Sequence, residues 1–226
     1  MTAAPEDASG ASQPATVAVA AGAAAAAAAR LPGAGRRIDA VVMGASAGGI
    51  DALGVLLPAL PPDASAAVFV VVHLLRGRPS MLAEIFSPLC ALPVCEAQDK
   101  EPVRTGRVYV APADYHLLID RGPQLALSVD EPVHFSRPSI DVLFESAADI
   151  YGAALMGIIL SGANEDGTAG LAAVRRAGGL TVVQQPDSAA VPYMVRAALH
   201  SGAAQLVLTL PEIAALLGSL RTPAPA

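Results

Sequence analysis

Five runs of the chain, Ile38 to Met43, Ala67 to Val72, Leu155 to Leu160, Leu180 to Val183 and Leu206 to Leu208, are nearly continuous Val, Ile, Leu and Ala. A strand with one wet face alternates apolar and polar residues, whereas a strand covered on both faces does not. The runs therefore predict parallel strands lying between two layers of helices. The stretches between them carry the matching helical spacing: Ile50, Leu53 and Leu57; Met81, Leu82, Ile85 and Phe86; Ile140, Leu143, Phe144, Ala147, Ile150 and Tyr151. The last opens at Pro138-Ser139 and closes at Gly152, a start and a stop of the expected kinds. Met81, Met156 and Met194 fit core packing. Between Val94 and Val129, shorter pieces such as Arg107 to Val110 and Leu125 to Leu127 read as hairpin-like additions to the sheet. Strand-helix alternation with right-handed crossovers makes this a doubly wound α/β domain, mostly parallel, without an internal repeat.

Composition bounds the rest. Residues 1–37 are mostly Ala, Ser, Thr, Gly and Pro and cannot bury enough surface to offset ordering entropy, so they read as a disordered tail. The domain is expected over 38–221, with a short tail at 222–226. A formal net charge of −6, with 14 Lys and Arg against 20 Asp and Glu, leaves no basic footprint for nucleic acid. Cys90 and Cys95 have no His at metal-ligand spacing, so no metal site is expected and the thiols read as small buried residues. No stretch reaches the roughly 18 strongly apolar residues of a membrane span. The Ala-rich stretch from Ala15 to Ala29 follows Glu6 and Asp7 rather than a basic segment, which argues against a signal peptide and for the cytoplasm.

In open α/β sheets ligands bind beyond the carboxyl ends of the strands. Three chemically useful groups stand there. The first run ends in Gly44-Ala45-Ser46-Ala47-Gly48-Gly49, the second runs into His73, and the third is followed by Ser161-Gly162-Ala163-Asn164-Glu165-Asp166-Gly167. The first segment matches G-x-S-x-G, a strand-turn-helix elbow that exposes a nucleophilic Ser beside free helix N–H groups. A hydroxyl, an imidazole and a carboxylate leaving one edge of a sheet can form a Ser-His-Asp relay, which is recognised by roles and not by chain order.

Each residue also has a plainer reading. Gly44 to Gly49 reads as an ordinary glycine-rich turn, His73 as a hydrogen-bonded residue capping its strand, and Asp166 or Asn164 as the N-cap of the following helix. A degraded dinucleotide loop is a further alternative, but the second strand then ends in His73 where ribose binding needs Asp or Glu. Arg137 and Asp141 flank a helix start, where the macrodipole favours Asp141 and where Arg137 can face substrate. His134 reads as a surface residue near the mouth of the site. His116 and His200 show no partners and read as solvated or structural.

Taken together, Gly44 to Gly49, Val72-His73, Arg137-Pro-Ser-Ile-Asp141-Val-Leu-Phe144, Leu160 to Gly167 and Met194-Val-Arg-Ala-Ala198 resemble the catalytic domain of the bacterial chemotaxis receptor methylesterases, or protein-glutamate methylesterases. The resemblance covers roughly Ile38 to Leu220. It implies a serine hydrolase with Ser46 as nucleophile, His73 as base and Asp166 orienting it, and no metal or organic cofactor. The substrate it implies is a glutamate methyl ester on the cytoplasmic domain of a chemoreceptor, with Gln deamidation as a second activity. The backbone N–H groups of Ala47 and Ala163 are the candidates for holding the oxyanion. Ala163 and Ala47 stand where Met and Thr are frequent, and Val195 replaces a usual Pro, which bears on substrate identity more than on reaction type. Typical members place a receiver domain of about a hundred residues first, and 37 Ala-rich residues cannot build one. The expectation is an enzyme not gated by phosphorylation within its own chain. A catalytically inactive relative that binds a receptor through the same surface is the alternative.

Overall fold

The computed structural model describes residues 36–73 and 80–221. Most of the expected N-terminal tail and the C-terminal tail lie outside them. Seven strands form one sheet in the order β3-β4-β2-β1-β7-β8-β9: β1 (Ala40–Ala45), β2 (Ala67–Val72), β3 (Val94–Glu96), β4 (Val108–Val110), β7 (Leu155–Ile159), β8 (Leu180–Gln184) and β9 (Leu206–Leu208). Every pairing in it is parallel.

The apolar runs are continuous because alternate residues serve different layers. Val41, Met43 and Ala45 of β1, with Val68, Val70 and Val72 of β2, join one core that includes Leu53 and Leu56 of α1 (Gly49–Leu56) and Ile213 and Leu217 of α6 (Leu210–Gly218). Ala40 and Val42, with Ala67, Phe69 and Val71, join the other core. There they meet α3 (Ile140–Tyr151), α4 (Thr168–Arg176) and α5 (Tyr193–His200) through Ile140, Phe144, Leu171 and Met194. Polar residues at either set of positions would leave unpaired groups in a dry layer. Among the described residues no helix is long and apolar enough to cross a membrane.

The middle of the chain departs from expectation. β3 and β4 enter the main sheet in parallel, while β5 (His116–Asp120) and β6 (Gln124–Ser128) form a separate antiparallel pair instead of extending the sheet. That pair lies against α3, where the Ile119 amide donates to Ser146 Oγ at 3.1 Å. The short α2 (Leu82–Phe86) buries Leu82 and Phe86, but Met81 is 54% exposed and is not part of the core; five helical residues have too little periodic face to enclose their flank. Met156 and Met194 are buried as expected. The chain leaves β1 toward β2 on one side and returns to β7 on the other, which puts the end of β1 at the topological switch point.

Candidate active site

Ala45 is in register with Val72, and the His73 amide donates to the Ala45 carbonyl at 3.1 Å. Ser46 and His73 therefore leave neighbouring strands at the same level, about 5 Å apart at the backbone. On the other flank the Ser46 amide donates to the Ser161 carbonyl at 2.9 Å. The small residues around Ser46 let three loops converge. Gly48 has φ +78°, and a Cβ there would lie 2.6 Å from Ala190 Cβ. A Cβ on Gly162 would lie 2.5 Å from Met194 Cε and 3.0 Å from Ser46 Cβ. The left-handed residue of the elbow is thus the glycine and not the serine, since among the described residues the non-glycine ones with positive φ are Lys100, Asp114, His134 and Phe135.

Asp166 caps a helix, but not the one that follows it. The N-cap of α4 is Gly167, with no side-chain cap, while the fully buried Asp166 carboxylate sits at the N-terminus of α3. Its Oδ1 accepts from Ser139 Oγ at 2.8 Å and the Asp141 amide at 3.0 Å, and its Oδ2 accepts from the Ile140 amide at 2.7 Å. The fourth contact is His73 Nε2, 2.8 Å from Oδ2. Burial pushes the carboxyl up, but the hydrogen bonds from His73, the Asp141 and Ile140 amides and Ser139 outweigh it and hold Asp166 below the usual carboxylate range. One carboxylate therefore both caps α3 and binds the His73 ring. Because Oδ2 is an acceptor, Nε2 carries the ring proton and Nδ1 keeps the lone pair.

That lone pair points to a loosely held side of the ring. Ser136 Oγ lies 3.4 Å and Asn164 Nδ2 3.5 Å from Nδ1, and Ser46 Oγ forms no hydrogen bond to His73. Beside Ser46, Ala47 and Ala163 are exposed residues, and neither of their amides donates a hydrogen bond among the described residues. Ser161 frames this space: its Oγ donates to the Ala47 carbonyl at 2.7 Å and accepts from the Val191 amide at 2.9 Å, and its own amide donates to Gln184 Oε1 at 3.0 Å. Among the described residues, no group of three or more His, Cys, Asp or Glu gathers where a metal ion could be held.

Comparison with known proteins decides the family. Residues 41–217 match the family model of the CheB methylesterases. The chain belongs to the CheB methylesterase family. The crystal structure of the Thermotoga maritima CheB methylesterase catalytic domain superposes with a TM-score of 0.77 at 32% identity, over 81% of this chain and 98% of that one. A Leptospira interrogans protein is 43% identical over 178 residues, 79% of this chain and 92% of the relative. The protein-glutamate methylesterase/protein-glutamine glutaminase of Symbiobacterium thermophilum is 42% identical over 185 residues, 82% of this chain but only 50% of the relative.

Other residues of this CheB family member take places the sequence did not give them. Arg137 Nη1 donates to the Val129 and Asp130 carbonyls at 2.6 and 3.0 Å, tying down the loop that leads into α3. Asp141 was expected to gain from the helix start, yet burial, with Asp166 adding to it, pushes its carboxyl up to about 6 against a hydrogen bond from the Gly170 amide at 2.6 Å. His134 stands between Asp141 and Glu165, 3.5 and 3.6 Å from their carboxylate oxygens. His116, which showed no partner in the sequence, is buried and has two: its Nδ1 accepts from the Ser139 amide at 3.1 Å and its Nε2 lies 3.2 Å from the Glu131 carbonyl. His200 bonds the Arg196 carbonyl one helical turn back. Ser136, Ser139, Ser161 and His116 were all missed as contributors. The only sequence signal available for them was proximity to a strand end or a helix start.

Proposed function

We infer that the protein hydrolyses glutamate γ-methyl esters on the cytoplasmic helical domain of a chemoreceptor-like protein, acting in the cytoplasm as a serine hydrolase. Ser46 Oγ attacks the ester carbonyl while His73 Nδ1 takes its proton. The oxyanion that forms is held by the Ala47 and Ala163 amides. His73 returns the proton to the methoxy oxygen, and methanol leaves an acyl-Ser46. Water then attacks with His73 again as base, releasing the glutamate carboxylate and restoring the serine. Asp166 fixes the ring with Nδ1 free and stabilises the imidazolium formed in each half.

The observation that carries this reading is the part-buried Asp166–His73 hydrogen bond, 2.8 Å, on the residue that follows Val72, which is in register with Ala45 just before Ser46. Gln deamidation follows the same path with ammonia leaving, and the two-part name of the Symbiobacterium thermophilum relative supports it as a second activity. No observation favours an inactive receptor-binding relative, which would have no need of a four-donor carboxylate on its histidine. The test is methanol release from a methyl-labelled chemoreceptor by the wild type and by Ser46→Ala. Release by the wild type alone supports the reading, and equal rates from both proteins overturn it.

A further inference from the structure

The β5–β6 pair stands outside the main sheet and packs against α3, and its first residue reaches the N-terminal turn of that helix. His116, the first residue of β5, is 1% exposed and lies under the first turn of α3. The Ser139 amide can only donate, so Nδ1 of His116 is the acceptor and Nε2 carries the hydrogen, which points to the Glu131 carbonyl. Both ring nitrogens are used.

We propose that His116 is a positioning residue for the Ser46–His73–Asp166 relay, acting through the N-terminal turn of α3; the proposal rests on the hydrolase reading above. Three successive amides of that turn are satisfied from two directions: Ser139 by His116, and Ile140 and Asp141 by Asp166. Ser139 then contributes its Oγ to Asp166 Oδ1 at 2.8 Å. Three of the four donors on the Asp166 carboxylate thus come from residues 139–141, and Oδ2 is shared between the Ile140 amide and His73. Whatever fixes the turn fixes the carboxylate, and the carboxylate fixes the plane and tautomer of His73. A rigid ring with an acceptor on one side and a donor on the other gives the buried Ser139 amide its partner and ties it to the Glu131 carbonyl. His116 touches no reacting atom. Its effect is transmitted entirely through the turn, and displacements below 1 Å at a relay are costly to the rate.

The test compares two variants of similar size. His116→Asn keeps an acceptor near the Nδ1 position and gives up the bond to Glu131; His116→Gln reaches toward Glu131 and gives up the acceptor. For the Gln variant, kcat for methyl-ester hydrolysis is expected to fall about tenfold to thirtyfold with KM within about twofold, and the Asn variant to recover kcat to within about threefold of wild type. Amide hydrogen exchange supplies the readout that plain packing would not move: in the Gln variant the Ile140 and Asp141 amides exchange at least about tenfold faster, while those of Phe144 and Ala147 in the same helix change little. Equal loss of kcat in both variants, or faster exchange spread evenly along α3, overturns the proposal. Should the Gln variant not fold, the Asn variant decides alone, and a loss of kcat beyond about tenfold in it rejects the idea. Exchange is read without substrate, so an inactive wild type removes the hydrolase reading while the exchange comparison still tests the hold of His116 on the turn.

Discussion

The two halves of the relay are built differently. The His73–Asp166 half is dry and over-determined, with a fully buried carboxylate carrying four hydrogen-bond donors. The Ser46 half is partly open: its hydroxyl forms no hydrogen bond to the ring, and the amides of the neighbouring exposed residues Ala47 and Ala163 have no protein acceptors among the described residues. The difference separates what must exist before substrate arrives from what substrate completes. A buried carboxylate needs its donors at all times, because an uncompensated buried charge costs roughly 3–5 kcal/mol of stability. A nucleophile and an oxyanion site must stay unoccupied until an ester enters, since donors already satisfied have nothing to offer a transition state.

The sharpest way to break this contrast is to remove the two ends of the relay separately. Ser46→Ala is expected to lower hydrolysis by roughly 10⁴- to 10⁶-fold. Its unfolding free energy should stay within about 0.5 kcal/mol of wild type, because the Ser46 hydroxyl holds nothing in place. Methanol release and a denaturant melt on the same samples check both halves of that statement. Ser136→Ala is the necessary companion, since Ser136 Oγ is a hydroxyl that does face Nδ1, at 3.4 Å. Its tight turn pairs the Ser136 amide with the Val133 carbonyl at 2.8 Å, so the amide of that residue is already taken. A loss below about tenfold is expected there. A reversed ranking of the two variants would move the nucleophile to Ser136.

At the other end both quantities should fall together. Asp166→Asn is expected to cost about 10⁴-fold in kcat through the wrong ring tautomer. Asp166→Ala strands Ser139 Oγ and the Ile140 and Asp141 amides, and is expected to cost about 3 kcal/mol or more of stability. An Asp166→Ala protein as stable as the wild type would erase the distinction between the halves.

Much of this organisation was legible in the residues. The apolar runs announced buried parallel strands because each residue had to suit one of two dry layers. β1 is displaced by two residues, to Ala40–Ala45, because Gly44 and Ala45 are too small to look like strand while being small for a reason: a Cβ on Gly44 would lie 2.3 Å from Ile140 Cγ2. Ser46, His73 and Asp166 could be singled out because each ends or follows a strand, a position set by local pattern, and the structure joins the last two at 2.8 Å. The residues that hold them could not. Ser139 meets Asp166 across 27 residues of sequence, His116 meets Ser139 across 23, and Ser136 and Asn164 meet His73 across 63 and 91. Nothing local distinguishes such residues from other polar side chains, and the placement of β5–β6 that creates the His116 contact is a tertiary choice.

A smaller effect tests whether the open half depends on its backbone. Gly48→Ala places a side chain where φ is +78° and where Ala190 Cβ would be 2.6 Å away. The left-handed backbone costs roughly 1–2 kcal/mol, and Ala190 must also move. Because Ala190 precedes Val191, whose amide bonds Ser161 Oγ at 2.9 Å, the shift reaches the framework around Ala47. The expected outcome is a loss of kcat of about tenfold to a hundredfold with KM nearly unchanged. Unaltered kcat in a destabilised Gly48→Ala protein would show that the amides need no such framework.

The mildest change asks whether the two carboxylates on the α3 turn pull stability in opposite directions with pH. Asp166 is held below the usual carboxylate range, so its contribution is complete above the unfolded value and is lost as pH falls through the lower folded one. Asp141 has the other sign. Its folded value is raised from 3.8 to about 6, so between roughly pH 4 and pH 6 the folded protein binds more proton than the unfolded chain. Stability must then decline as pH rises through that window and remain lowered above it. Asp141→Asn keeps an oxygen for the Gly170 amide, bonded at 2.6 Å, and removes the charge facing Asp166. Thermal melts across this range should show the decline flattened, with a midpoint at neutral pH about 2–4 °C above wild type for each kcal/mol recovered. A midpoint below wild type at pH 7, with the slope between pH 4 and pH 6 unchanged, would mean that the Asp141 charge is needed where it stands, and that the dry half of the site depends on both carboxylates rather than on Asp166 alone.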